Sequence, residues 1–458
     1  MSARLNRTTP LPPQARPAVD PAELRTRVVH FGLGAFHRAH QAVYTEEAAA
    51  RSGEPWGITA VAPRSARTVR ALREQDFLYS LTERRPEGPR TRVVGAVLDA
   101  LAMGPDAKAV TALLADPEVT VVTLTVTEKG YQRLASTGGL DTAAVAADLA
   151  ADPDGPLTTV IGALAAGLAA RIRAGGAPIS VLSCDNMADN GAVLGRVVRE
   201  FVDASSWPDR RRIGDRIAET VRFPATVVDR IVPATSDADR VAATAALGVR
   251  DELPVTAEPY RQWILEDSFA AARPPWELEG ALFVKDVTPY QLTKLRLLNG
   301  SHSALAHLGT AAGHTTIADT MAADWGERLV RALCAEVAPT LPAGGPDPGA
   351  YADDLVVRFR NPAMHHLLRQ IGSDGSLKIT ERWLPALRTL RARGTSTPVL
   401  ELALAAWVFS TRPAGTDPVE TVRTLLRVLG APDLADDDAL TGAVAARLPA
   451  LRAGRIEF

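Results

Sequence analysis

The stretch PYQLTKLRLLNGSH at 289–302 carries three side chains suited to proton transfer at an alcohol or carbonyl: Lys294, Asn299 and His302. An amine can hold and release a proton, an amide can polarise an oxygen, and an imidazole can orient a hydroxyl. On an α-helix at about 100° per residue they fall at about 0°, 140° and 80°, one side of the helix with Asn299 at its margin. A solvated polar face would have the same spacing. Gly300 inside such a helix costs about 1 kcal/mol against alanine, a loss that close approach of another body would justify. Lys294 is also one of only five lysines (108, 129, 285, 294 and 378) among 51 Lys and Arg residues. A chain that writes arginine for nearly every cation keeps lysine by chance or where a titratable amine is needed, since a guanidinium does not give up its proton.

A second set of residues lies near the start of the chain. GLGAFH at 32–37 follows an apolar run and precedes a helical one, which is the place of a dinucleotide-binding turn. Gly32 and Gly34 there permit a tight turn and close approach of backbone N–H groups to a pyrophosphate. An ordinary tight turn uses the same glycines, and the third glycine of the usual fingerprint is His37. After the second strand, where an acid normally accepts the ribose hydroxyls, the chain reads PRSAR at 63–67. Arg64 and Arg67 are thus 2′-phosphate ligands or solvated charge, and NAD and NADP both stay open. Asn186 and Asn190 straddle a strand end and a helix start, where asparagine also serves as a cap. His365 and His366 lack the carboxylate or cysteine spacing of a metal site, so no metal is expected. Two cysteines exclude a disulfide framework, and Cys184 reads as a small core hydrophobe.

These residues need a scaffold, and the pattern of runs supplies one. Apolar runs at 27–31, 57–62, 119–126 and 178–184 alternate with helical stretches at 37–50, 64–74, 157–174 and 191–204. That alternation argues for a parallel, doubly wound sheet. From about 289 amphipathic stretches take over, at 290–309, 317–338, 351–360, 378–393, 398–410 and 419–429. We therefore expect a loose, Pro- and Arg-rich arm over 1–24, an α/β Rossmann-like dinucleotide-binding domain over 25–285 and a mainly α-helical domain over 286–458. With 51 basic against 53 acidic residues the net charge is −2, which gives no field for nucleic acid or an anionic membrane. No apolar run reaches the roughly 18 residues of a membrane span, and the first 25 residues contain no secretory apolar core. A cytoplasmic enzyme acting on a small molecule, as monomer or dimer, is the expectation.

Taken together, several segments resemble one family in order along the chain. They are GLGAFHRAHQA (32–42), TEKGY (127–131), SCDNMADNG (183–191), VVDRIVPAT (227–235), QWILEDSF (262–269), the 294–302 helix, RFRNPAMHHLL (358–368) and SDGSLK (373–378). The chain is similar to the polyol-specific long-chain dehydrogenases, the mannitol dehydrogenase family that includes mannitol 2-dehydrogenases and fructuronate and tagaturonate reductases. The resemblance implies a Rossmann-like domain, a helical domain and a site between them. It implies that Lys294 is the general acid/base, that Asn299 and Asn190 hold the reacting oxygen, and that His302 orients substrate. Asp229 matches an aspartate near the site, and Lys378 a lysine that contacts substrate hydroxyls or a carboxylate. Gly32, Gly34 and Phe36 fall in the dinucleotide turn, with Thr127 and Glu128 on the nicotinamide side. For Lys294 to act, burial must lower its pKa well below that of a free lysine.

Two departures bear on substrate. Gln291 stands where mannitol 2-dehydrogenases carry a glutamate linked to proton exit. The stretch 369–382 resembles the uronate-reductase branch more than the mannitol branch, with Arg369, Lys378 and Arg382 available for a carboxylate. The expected reaction is NAD(P)-dependent interconversion of fructuronate and mannonate. The alternatives are mannitol or arabinitol as an uncharged substrate and, from another class, a non-catalytic dinucleotide-binding protein.

Overall fold

Nearly continuous β-branched and aliphatic runs are stable as strands only when both faces of their sheet are covered. In the computed structural model, which describes residues 3–152, 155, 157–411 and 417–457, that principle organises the first half of the chain. The strands are β1 (Arg25–Phe31), β2 (Trp56–Ala62), β3 (Tyr79–Arg85), β4 (Gly88–Val94), β5 (Val97–Ala102) and β6 (Val121–Leu124). They continue with β7 (Ile179–Ser183), β8 (Val221–Arg222), β9 (Thr226–Asp229), β10 (Val255–Ala257), β11 (Gln262–Glu266) and β12 (Leu282–Val284). Six form one parallel sheet in the order β5-β2-β1-β6-β7-β8. Along β1, Val28 packs with Ala42, Trp56 and Ile58 on one face, while Val29 and Phe31 pack with Val122, Leu164 and Val197 on the other. The winding reverses between β1 and β6, where Phe31 lies opposite Leu124. In open α/β sheets that reversal, at the carboxyl ends of the strands, is where ligands bind.

The chain divides into two compact units, Met1–Val287 and Thr288–Phe458. Within the first, two three-stranded sheets accompany the parallel one, in the orders β10-β3-β4 and β12-β11-β9. Each contains one antiparallel pair, β3 with β4 and β11 with β9. Over the described residues 3–24 the arm expected at 1–24 is anchored, not loose. The Leu5 N–H donates to Arg250 O at 2.9 Å, and Leu5 and Ala15 are buried with Leu78, Val93 and Leu247. Prolines stiffen the segment and the side chains of Leu5 and Ala15 anchor it, so little chain entropy remains to free it.

In the second unit every regular element among the described residues is helical. The helix Gly300–Ala311 is buried from Gly300 to Gly309 and packs against Leu368–Gly372, Gly326–Val337 and Pro398–Ser410. A helix buried on every side belongs at the centre, and this one, which carries Ser301, His302, Ser303 and His307 inward, continues directly from the Lys294–Asn299 segment.

Candidate active site

The turn after β1 has the properties a dinucleotide requires. Gly32 adopts φ +113°, and a Cβ there would sit 2.2 Å from Thr125 O, so only glycine fits against the end of β6. Gly34 is exposed, with φ −78° and no atom within 4 Å of an added Cβ. The protein itself does not demand glycine there; the free space beside the backbone is what a pyrophosphate would fill. His37 replaces the third glycine by stacking on His30 of β1, ring centroids 3.4 Å apart and planes within 9°. His30 is fixed in turn by Thr123 Oγ1 at 2.7 Å and Thr125 Oγ1 at 2.8 Å. Burial pushes the His37 pKa down to about 3, helped by the Arg38 charge, and lowers His30 as well, so the stacked rings are neutral. Phe36 stacks on His40 at 5.0 Å. Arg64 is exposed just after β2, and Arg67 is exposed in the first turn of the next helix, whose N-terminus Ser65 caps.

Beside this turn, at the carboxyl end of β6, Thr127 and Glu128 are both exposed. Thr127 has φ 69° and ψ 160°, a region that is essentially glycine-only and costs a residue of this kind about 1–3 kcal/mol. Asp185, just beyond β7, holds it there. Its carboxylate accepts the N–H groups of Val126 and Thr127, both at 2.9 Å, and the Tyr131 hydroxyl at 2.7 Å. Desolvation raises the Asp185 pKa against these hydrogen bonds, and burial followed by the Asp185 charge raises Tyr131.

Asn190 opens the helix Asn190–Ala204 with its amide paired to the backbone of β9. Nδ2 donates to Thr226 O at 2.9 Å and to Asp185 O at 3.2 Å, while Oδ1 accepts from Thr226 N at 3.0 Å. Both amide hydrogens are thus engaged, and a bond to a substrate oxygen requires the longer one to be shared. Asp229 ends β9, buried, and its charge acts on His40.

In the helical unit the sequence-based geometry needs revision. Lys294–Asn299 is a π-helical turn between two α-helical segments, not part of a continuous α-helix. At about 82° per residue through the π turn and about 100° beyond it, Asn299 moves to about 50° and His302 to about −10° from Lys294. The three polar groups are gathered into a sector of about 60° instead of about 140°. Such turns are frequent at functional sites. Lys294 and His302 are buried and Asn299 half-buried. The His302 ring stacks on Phe359 at 4.3 Å and meets His366 edge-on at 5.2 Å. Burial, then the charges of His366, Arg358 and Arg382, hold its pKa well below 6.5, leaving a neutral imidazole with one donor and one acceptor.

The remaining expected ligands divide. Arg382 is half-buried, and its guanidinium donates to Asn299 O at 3.2 Å and Ser303 Oγ at 2.8 Å. Desolvation pushes its pKa down to about 10. The neighbouring Trp383 Nε1 donates to Gly300 O at 3.1 Å, so this pair pins the end of the π turn. Lys378 Nζ donates to Ile371 O at 3.0 Å and to Ser373 O, bracing the loop before its own helix. Arg369 is exposed. Sequence reasoning gave no role to Asp185, Arg358 or Trp383. For Asp185 the available signal is an acid directly after a buried strand end, at the carboxyl edge of the sheet. Among the described residues no group of three His, Cys, Asp or Glu side chains is arranged to hold a metal ion, and no helix is long and apolar enough to cross a membrane.

Comparison with known proteins matches both units. The mannitol dehydrogenase Rossmann domain model covers residues 26–278 and the mannitol dehydrogenase C-terminal domain model covers 286–423. The D-mannonate oxidoreductase of Escherichia coli is 39% identical over 409 residues, 86% of this chain and 82% of its own. Among solved structures, a substrate-free D-sorbitol dehydrogenase superposes with a TM-score of 0.89 at 30% identity, covering 99% of this chain and 100% of that one. The Pseudomonas fluorescens mannitol 2-dehydrogenase, in ternary complex with NAD and D-mannitol, gives 0.81 at 34% identity, covering 98% and 97%.

Proposed function

The chain belongs to the mannitol dehydrogenase family, whose members are NAD-dependent oxidoreductases acting on CH–OH groups, and from that premise we propose that it interconverts a keto-sugar acid and its alcohol, with fructuronate and mannonate as the favoured pair. The residues that would hold the dinucleotide are Gly32, Gly34, Phe36, Arg64, Thr127 and Glu128; the space beside Gly34 and the glycine-only turn at Gly32 fit it. When bound, NAD(H) accepts or supplies the hydride. In reduction the Lys294 ammonium gives its proton to the forming alcohol oxygen, and in oxidation the neutral amine takes it back. The Asn299 amide donates to the same oxygen as charge gathers there. His302, neutral, both donates to and accepts from substrate hydroxyls. Asn190 and Asp229 keep the substrate assignments that the family resemblance gives them.

The observation that supports an acidic substrate is the field around the histidines of the helical unit. Arg358 and Arg382 act on His302, and Lys378 and Arg382 on His307, all in the sense of positive charge. A carboxylate placed there gains charge-assisted hydrogen bonds of roughly 1.5–3 kcal/mol. One observation favours the uncharged polyol as a second reading: the Lys378 ammonium is already bonded to two backbone carbonyls. NADH and NADPH oxidation measured with fructuronate, tagaturonate, fructose and xylulose separates the two. Fructuronate should exceed fructose by at least about tenfold in kcat/KM, and equal efficiencies would reject the acidic substrate.

A further inference from the structure

Seven non-glycine residues among those described have positive φ, and Thr127 is the one that is β-branched. Branching at Cβ makes such a backbone hard to hold, and strain of this kind persists only where the surroundings over-determine it. Here they do: Asp185 takes two successive N–H groups, Val126 and Thr127, and the Tyr131 hydroxyl, which itself lies 2.5 Å from Ser183 Oγ. With both amides turned inward and the Thr127 carbonyl accepting from Gly130 N at 2.9 Å, the Thr127 side chain is left exposed at the carboxyl end of the sheet. The place is the reversal point between β1 and β6, where Gly32 is already pressed against Thr125 O. A half-buried, desolvated carboxylate that restrains one exposed threonine has no evident use in the sheet itself, since β6 ends at Leu124.

We propose that Asp185 is a positioning residue for the dinucleotide, acting through the backbone at Thr127: by holding residue 127 in a glycine-only conformation it sets the path of the 125–128 loop along the nicotinamide half. This rests on the NAD(P) reading above. The test is fluorescence titration of NADH and NADPH, with melting curves, on the wild type, Asp185→Asn, Thr127→Gly and the double variant. Asp185→Asn replaces one acceptor oxygen by a donor facing an N–H, and should weaken binding by about tenfold. Glycine adopts the same backbone without restraint, so adding Thr127→Gly should recover most of that loss. Thr127→Gly alone should melt no more than about 3 °C below the wild type. Asp185→Glu, which keeps both acceptor oxygens, should bind between the wild type and Asp185→Asn, and it decides the matter if Asp185→Asn does not fold. Wild-type affinity in Asp185→Asn, no recovery in the double variant, or wild-type affinity in Asp185→Glu alongside an unfolded Asp185→Asn would overturn the proposal and leave the NAD(P) reading intact. Failure of the wild type to bind either dinucleotide would overturn both.

Discussion

The two glycines of the β1 turn should respond to the same substitution in opposite ways. At Gly32 an added methyl meets Thr125 O at 2.2 Å and the backbone stands at φ +113°. The left-handed conformation costs about 1–3 kcal/mol for a side chain, and forcing the β1 and β6 ends apart adds about 1–3 kcal/mol more. Gly32→Ala should therefore destabilise the N-terminal unit by about 2–6 kcal/mol, lowering its melting temperature by roughly 10 °C. At Gly34 the backbone is extended and nothing lies within 4 Å of the new methyl. The entropic gain from replacing glycine and the poorer helix N-cap of alanine are each about 0.5–1 kcal/mol and oppose one another. Gly34→Ala should melt within about 3 °C of the wild type. Yet the methyl would occupy the space reserved for the pyrophosphate, so NADH affinity should fall by more than about tenfold, an effect of about 1.4 kcal/mol or greater. Differential scanning fluorimetry paired with NADH fluorescence titration reads both quantities. A Gly34→Ala protein that binds NADH as tightly as the wild type would show that no phosphate approaches this turn.

Three further outcomes are expected. Lys294→Ala should keep NADH binding while lowering kcat by about two to four orders of magnitude, with Lys294→Arg little better because a guanidinium cannot shuttle the proton; single-turnover rates with an unchanged pH profile in Lys294→Arg would move the proton to another group. Lys378→Met should cut the fructuronate-to-fructose ratio of kcat/KM by about tenfold if the lysine leaves its carbonyls for substrate; a lower melting temperature with an unchanged ratio would confine it to bracing its loop. Acid should destabilise the fold early: burial holds His37 and His40 down at about 3, against about 6.5 when unfolded, so their contribution is complete above about pH 6.5 and is lost as pH falls from there toward 3. The two together remove about 3 kcal/mol by pH 5.5, and a melting temperature that stays flat between pH 7.5 and 5.5 would contradict neutral, buried rings.

What the sequence reveals follows from how local each signal is. The strands β1, β2, β6 and β7 are apolar runs visible in any window, and the glycines at 32 and 34 announce a turn. The β3–β4 pair is hidden because TERRPEGPRTR at 82–92 is polar and reads as a loop, although the two strands pair along their whole length. The importance of Asp185 depends on the backbone of a segment 58 residues earlier, which no spacing rule reaches. Arg382 and Lys378 are legible as cations of interest. Their hydrogen bonds to carbonyls are not, since any backbone can accept. His37 looks like a defect in a glycine fingerprint until His30, on the preceding strand, supplies its stacking partner.

The π turn changes what the numbers 294, 299 and 302 mean. On a regular α-helix the positions i, i+4 and i+7 lie at about 0°, 40° and −20°, nearly the directions that Lys294, Asn299 and His302 take here. The spacing of five and eight is therefore an ordinary four-and-seven stripe lengthened by a single inserted residue, which the wider turn between Lys294 and Asn299 takes up. The insertion is confined to the turn Lys294–Asn299, with α-helix resuming directly on either side. Linear distance along this chain thus overstates angular distance by one step, and a pattern search built on unbroken helices would pass over the constellation.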